Sequence, residues 1–257
     1  MNPIQVLKIG GNIIDDNQAL AAFLEAFSAS GSPRILVHGG GRRASEISRR
    51  LGIEPKMVEG RRVTDAASLE VVTMVYGGLI NKNIVAFLQS KGTDALGLSG
   101  ADMNIIPAWK RKSGDVDYGF VGDIDPANIN SEKLEWLLDA GITPVFCALT
   151  HDGEGSLLNT NADTLAAGIA RALAAKRPTE LHLCFEKHGV LSDMNDDNSV
   201  IPELLQSSFI QMKEDGLVFE GMIPKLENAF AATAAGVQVI IRHALDDSTG
   251  TRLRIDE

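Results

Sequence analysis

The chain has 257 residues, 44% hydrophobic and 23% charged, enough for a large core in one domain or two lobes. A net charge of −10 leaves no basic footprint for nucleic acid or an anionic membrane, so an anionic ligand must be met by a local cluster of cations. No charged-then-apolar leader and no apolar run of transmembrane length is read, and Cys147 and Cys184 lie in apolar strand-like runs without metal-ligand spacing; the expectation is buried free thiols in a soluble, cytoplasmic protein.

Val6-Leu7-Lys8-Ile9-Gly10-Gly11 reads as a buried first strand of a parallel sheet, bringing a cation and open backbone amides to its rim. Lysine is seldom buried alone, so Lys8 is expected to emerge where the strand meets the turn. Gly10 and Gly11 suit either an ordinary turn or close approach of an anion. Asp15 and Asp16 offer N-caps for an amphipathic helix through Leu20, Phe23, Leu24 and Phe27. Arg34 to His38 forms a second buried strand that runs into Gly39-Gly40-Gly41 and a helix through Ile47. Strand, helix and strand with short connections predict a parallel sheet. The glycine triplet allows a tight turn or an anion on the helix-start amides, and His38 reads as a packed strand-end residue rather than a base.

Met57 to Thr64 reads as a hairpin, and Arg61 or Arg62 offers a guanidinium fork to a carboxylate. A long helix follows with Val72, Val75, Tyr76, Leu79 and Ile80 on one stripe, then a strand from Asp94 to Leu98. Paired marginal strands are expected between 104 and 124, with Lys110, Arg111 and Lys112 as a solvated face. Glu132 to Leu138 reads as helix and Ile142 to Leu149 as strand. Asn161 caps a helix that carries Asp163 in its first turn, which leaves Asn159 without a structural reason. Leu181 to Phe185 is a strand, and Leu204 and Leu205 are assigned to a helix. Pro224 and Lys225 open another helix; a lysine at that positive end is poorly placed unless an anion binds there.

Lysines and glycine-rich strand ends, all where strands hand over to helices, describe one polyanion site beyond the carboxyl ends of a parallel sheet. The chain has no G-x-x-x-x-G-K-[ST] loop, protein-kinase signature set or complete G-x-G-x-x-G fingerprint. Lys8-Ile9-Gly10-Gly11, His38-Gly39-Gly40-Gly41, Gly60-Arg61-Arg62-Val63-Thr64, Leu96-Gly97-Leu98-Ser99-Gly100, Gly119-Phe120-Val121-Gly122, Asn159-Thr160-Asn161-Ala162-Asp163 and Gly221-Met222-Ile223-Pro224-Lys225 stand in that order. Together they resemble the signature of the amino acid kinase family, from residue 4 to about residue 255.

The resemblance implies a single three-layer α-β-α domain with a mainly parallel, open central sheet. Its N-lobe (1–176) would bind an N-acyl-L-glutamate and its C-lobe (177–257) ATP, with Mg²⁺ carried by the nucleotide phosphates rather than a protein-made metal site. The implied reaction is phosphorylation of the γ-carboxylate in arginine biosynthesis, with N-acetyl-L-glutamate as first substrate and N-succinyl-L-glutamate as the alternative. Another amino acid kinase and a non-catalytic sensor are the remaining readings. By position, Lys8 and Lys225 correspond to the cations on the transferring phosphoryl group and Asp163 to the acid that holds them. Gly40, Gly41, Arg62 and Asn159 correspond to substrate contacts. Gly10, Gly11, Glu186, Lys187, Gly189, Leu191, Leu217 and Phe219 correspond to the nucleotide site. Two departures stand out: Phe185-Glu186-Lys187-His188-Gly189 replaces the family's usual aspartate-bearing turn, and Arg42-Arg43 follows the glycine triplet. The resemblance further implies an arginine-insensitive homodimer.

Overall fold

The sheet is built from short runs of consecutive apolar residues because helices cover both of its faces. The computed structural model describes residues 2–256 except Ser32, Glu59, Met194 and 219–221. In chain order, β1 (Ile4–Ile9) leads through α1 (Gly11–Asp15) to α2 (Asn17–Ala29), β2 (Arg34–His38) and α3 (Gly41–Arg50). The hairpin strands β3 (Met57–Val58) and β4 (Arg61–Arg62) precede a continuous rod of α4 (Ala66–Val72), a π-helical stretch (Thr73–Ile80) and α5 (Asn81–Ser90). Next come β5 (Ala95–Leu98), β6 (Trp109–Lys110), β7 (Gly122–Asp123), α6 (Ser131–Asp139) and β8 (Thr143–Cys147). A second hairpin, β9 (Leu149–His151) and β10 (Leu157–Asn159), leads into α7 (Ala162–Ala174) and β11 (Thr179–Phe185). The chain closes with β12 (Glu203–Leu205), α8 (Gln206–Glu214), α9 (Ile223–Ala234), β13 (Gln238–His243) and β14 (Thr251–Arg254).

One sheet takes eight strands in the order β12-β14-β13-β11-β1-β2-β8-β5, with β1 in its middle. The pairs from β5 through β8, β2, β1 and β11 to β13 are all parallel; β14 runs antiparallel to β13 and pairs in parallel with β12. Side chains alternate across each strand, and the two cores follow that period. Ile4 and Val6 of β1 join Leu165, Ile169 and Leu173 of α7 and Leu226 and Phe230 of α9 on one face. Leu7 and Ile9 join Phe23 and Phe27 of α2 and Ile84 and Leu88 of α5 on the other. Residue 8 therefore points toward α7 and α9.

The structure corrects several local expectations. Lys8 does not emerge at the strand end but is 6% exposed, because a carboxylate meets it inside. Of the two acids before α2, Asp16 is the cap, accepting from the amides of Gln18 and Ala19. Leu204 and Leu205 lie in β12, not in a helix: Leu204 is buried between exposed neighbours, the period of a strand. Leu79 leaves the apolar stripe and is 42% exposed, because the π-helical stretch adds a residue to its turn while Val75, Tyr76 and Ile80 stay buried. By length and composition alone, Ala66–Ser90 qualifies as a membrane span, unlike the reading from sequence; in the fold its inner face is core, packed on the sheet.

Both cysteines are buried free thiols, and desolvation pushes Cys147 up to about 12 and Cys184 up to about 11. His38 is fully buried, its Nδ1–H donating to Gly39 O at 2.9 Å while Nε2 accepts from Asn81 Nδ2 at 3.1 Å. Burial pushes its pKa down to about 4, which keeps the ring neutral. The unfolded chain takes up this proton near pH 6.5 and the folded one only near 4, so stability from the neutral ring is complete above about 6.5 and is lost as pH falls. Urea unfolding of wild type and His38→Gln across this range should show the wild-type advantage shrinking by about 3 kcal/mol toward the acid end. A gap independent of pH would mean that the imidazole is not held neutral.

Candidate active site

Four helix starts face the carboxyl rim of the sheet, and each carries a group that sequence reasoning singled out. β1 runs into Gly10, which caps α1, and Gly11 is the first residue of that helix. β2 runs into Gly39 and Gly40, and α3 starts at Gly41. Gly40 has φ +147°, and a Cβ there would stand 2.3 Å from Ile80 Cδ1, so the rod below leaves room for backbone alone. Asn161 caps α7 by accepting from the amides of Asp163 and Thr164. Pro224 lies in the first turn of α9, and Lys225 follows it.

The first three of these starts line a cleft of about 540 Å³ with Lys8, Gly11, Gly40, Gly41, Arg62, Asn159 and Asp163 on its walls. Lys8 Nζ lies 2.8 Å from Asp163 Oδ1, with the two side chains 7% and 10% exposed. Lys225 lies outside this cleft's lining and approaches the pair across Phe185. Its Nζ lies 4.5 Å from the ring centroid of Phe185, and Lys8 Nζ lies 5.0 Å from that centroid. The two ammonium groups, from opposite ends of the chain, thus share one ring. Burial pushes the pKa of Lys225 below the usual lysine value, the Asp163 charge opposes that shift, and the Lys8 charge adds to it.

Arg62 is 7% exposed; its Nη2 donates to Gly41 O at 2.8 Å and to Ser45 Oγ at 2.6 Å. Its Nη1 is buried and has no hydrogen-bond partner among the described residues, with the phenol of Tyr76 acting on the guanidinium nearby. Asn159 Nδ2 donates to Thr64 Oγ1 at 3.0 Å, which holds the amide at the cleft wall. Sequence reasoning missed two residues here. Tyr76 lines the cleft from the π-helical stretch, its phenol pKa raised by burial. Arg111, expected in a solvated basic run, is half-buried at the cleft and paired with Asp123 through Nε at 3.1 Å. Asp123 lies in β7 and Arg111 directly follows β6, but the pairing of β6 with β7 cannot be read from a short charged run.

A second cleft of about 310 Å³ adjoins Lys225 and is lined by Phe185, Glu186, Lys187, Gly189, Leu191 and Leu217 among others. Phe219 and Gly221 lie outside the described residues. Lys187 lines this cleft, and its ammonium pairs with Asp197 at the surface. Gly189 is fixed by packing, since a Cβ would stand 2.6 Å from Thr251 Oγ1. Among the described residues, no three His, Cys, Asp or Glu side chains gather as a metal site.

The model of the amino acid kinase family matches residues 3–243. The chain belongs to the amino acid kinase family. An acetylglutamate kinase of Bacteroides thetaiotaomicron is 52% identical over 254 residues, covering 98% of both chains. The amino acid kinase fold recurs in a crystal structure from Streptococcus mutans, with TM-score 0.82 at 29% identity over 98% of this chain and 99% of that one. N-acetylglutamate synthase from Neisseria gonorrhoeae, solved with coenzyme A and N-acetyl-glutamate, shares the fold at TM-score 0.83 and 21% identity, with 99% of this chain on 60% of that one.

If the paired cations act on a transferring anion, Lys225→Ala should lower kcat by roughly 10²- to 10³-fold with the fold intact. Lys8→Ala should lower kcat similarly and also destabilise the protein by about 3–5 kcal/mol, because it strands Asp163 in the interior. The kcat–pH profile should lose activity on the alkaline side below the usual lysine range, as Lys225 gives up its proton. Near-wild-type turnover in either alanine variant would contradict this pairing.

Proposed function

We propose that this amino acid kinase phosphorylates the γ-carboxylate of N-acetyl-L-glutamate with ATP, giving the acyl phosphate used in arginine biosynthesis. The observation that carries the reading is the convergence of Lys8 and Lys225 on Phe185, beside a cleft that Arg62 helps to line. The curated relative of 52% identity, an acetylglutamate kinase, supports the same substrate.

In this reading Arg62 grips the α-carboxylate and Asn159 receives the acylamino group, while the backbone at Gly40 and Gly41 lines the path between them. The γ-carboxylate is already ionised near neutral pH, so the attack needs no general base. The obstacle is bringing one anion to another. Lys8 and Lys225 offset that repulsion, and Asp163 keeps Lys8 aimed into the cleft. The cleft lined by Glu186, Gly189, Leu191 and Leu217 holds the nucleotide, with Gly10 and Gly11 near its phosphates. Mg²⁺ bound to those phosphates would supply further charge neutralisation. We infer a cytoplasmic homodimer with an N-lobe for the acyl substrate and a C-lobe for ATP.

A second reading, the same reaction on N-succinyl-L-glutamate, is favoured by one observation. Arg42, Arg61 and Arg111 line the cleft in addition to the arginine that an α-carboxylate needs. Arg111 sits beside the acylamino wall, its amide donating to Val121 O at 2.8 Å while Val121 bridges to Asn159. A further carboxylate on the acyl group would suit that charge. A coupled ADP-release assay with N-acetyl-L-glutamate, N-succinyl-L-glutamate, L-glutamate and L-aspartate tests both readings. Turnover of an N-acyl-glutamate and not of the free amino acids is expected. If the succinyl compound is the substrate, Arg111→Ala should raise its KM by roughly tenfold or more, the worth of a charge-assisted hydrogen bond. Turnover of free glutamate or aspartate alone would overturn the assignment.

A further inference from the structure

Phe185 ends β11 and is 8% exposed. It stands where the family's aspartate-bearing turn begins, and beyond its place in the core it lies within 5.0 Å of two ammonium groups. The strand period sets that position. Leu181, Leu183 and Phe185 share one face of β11 and join the core beneath α7 and α9. Lys8 of β1 is in register with Leu183 and points to the same face. The phenyl ring thus lands one residue pair beyond Lys8, where α9 delivers Lys225. It also packs against the phosphate-side turn, since a Cβ on Gly10 would stand 3.7 Å from its Cδ1. The ring and Lys225 line the smaller cleft, and Lys8, 5.0 Å from the ring centroid, lines the larger.

Two like charges brought together in a half-dry site repel each other, and each would gain by turning to water. Asp163 restrains Lys8 at 2.8 Å. Among the described residues no carboxylate lies within ion-pair distance of Lys225, although Asp163 and Glu186 act on it through space. A second carboxylate in contact would restrain Lys225, but it would also cancel its charge and repel the incoming phosphates. An aromatic face attracts an ammonium through its quadrupole and carries no net charge. The cations can then leave the ring for a phosphoryl group without stranding an anion behind them.

We propose that Phe185 is a positioning residue for phosphoryl transfer: its ring holds the ammonium groups of Lys8 and Lys225 together at the junction of the two clefts, as a neutral clamp. The clamp rests on the reading of those lysines as the cations of the transfer step. Its strength follows the electron density of the ring and not merely its bulk, which separates it from packing.

The test replaces Phe185 with mono-, di- and trifluorinated phenylalanine, which keep the shape of the ring while draining its face of negative charge. Steady-state kinetics are measured with saturating ATP and varied N-acyl-L-glutamate, with thermal melting alongside. The expected result is a stepwise fall in kcat along the series, reaching roughly 3- to 30-fold at the trifluorinated ring, with KM for the acyl substrate and Tm nearly constant. Phe185→Tyr should keep most of the activity, and Phe185→Leu should fall at least as far as the trifluorinated ring. A kcat that does not change across the fluorinated series overturns the clamp and leaves the ring as filler. Lys8→Ala and Lys225→Ala, assayed in parallel, separate the two claims. If they lose turnover while the series stays flat, only the clamp fails; if they turn over normally, the reading of the lysines fails with it.

Discussion

The buried contact between Lys8 and Asp163 is the interaction on which the arrangement depends. A lysine in the centre of a sheet pays a large desolvation penalty, and only a charge of opposite sign at close range offsets it. Asp163 is suited to that task by its own place in the first turn of α7, where the helix dipole favours an anion. The pair joins the middle strand to the start of a helix and fixes where the carboxyl rim of the sheet meets α7. Once Lys8 is committed to that face, the period of β11 and the first turn of α9 bring Phe185 and Lys225 to the same point.

An acidic chain that handles polyanions must concentrate its positive charge. The net charge is −10, yet Lys8, Arg42, Arg61, Arg62 and Arg111 all line one cleft whose acid is Asp163, already spent on Lys8. A low-dielectric cleft focuses such a field, so a few cations act on the ligand while the rest of the surface repels competing polyanions. The helix starts at Gly11 and Gly41 add partial positive charge without side chains.

The fold was largely legible from the sequence, because continuous apolar runs and intervening amphipathic stretches leave few alternatives to a covered parallel sheet. The handovers at Gly10, Gly40, Asn161 and Pro224 were also legible, since each carries a local conformational demand. What could not be read depended on distant partners. Its own stretch put Lys8 at the strand end, and only the family resemblance named Asp163 as the acid that holds it. Arg111 was taken for a solvated charge because its place depends on pairing between strands twelve residues apart. The π-helical stretch that puts Tyr76 under the glycine triplet and turns Leu79 outward has no periodic signature of its own. Leu204 and Leu205 follow a residue pattern too short to separate strand from helix.

The central claim is that ammonium groups from the two ends of the chain meet on a single migrating phosphoryl group. A crystal structure of the protein with ADP, aluminium fluoride and N-acetyl-L-glutamate tests it most directly, because the planar fluoride mimics that group in flight. The account predicts the Nζ atoms of Lys8 and Lys225 both in contact with the fluoride ligands, with Asp163 still bonded to Lys8. A complex in which either nitrogen points away from the fluoride, toward water or another partner, would contradict it.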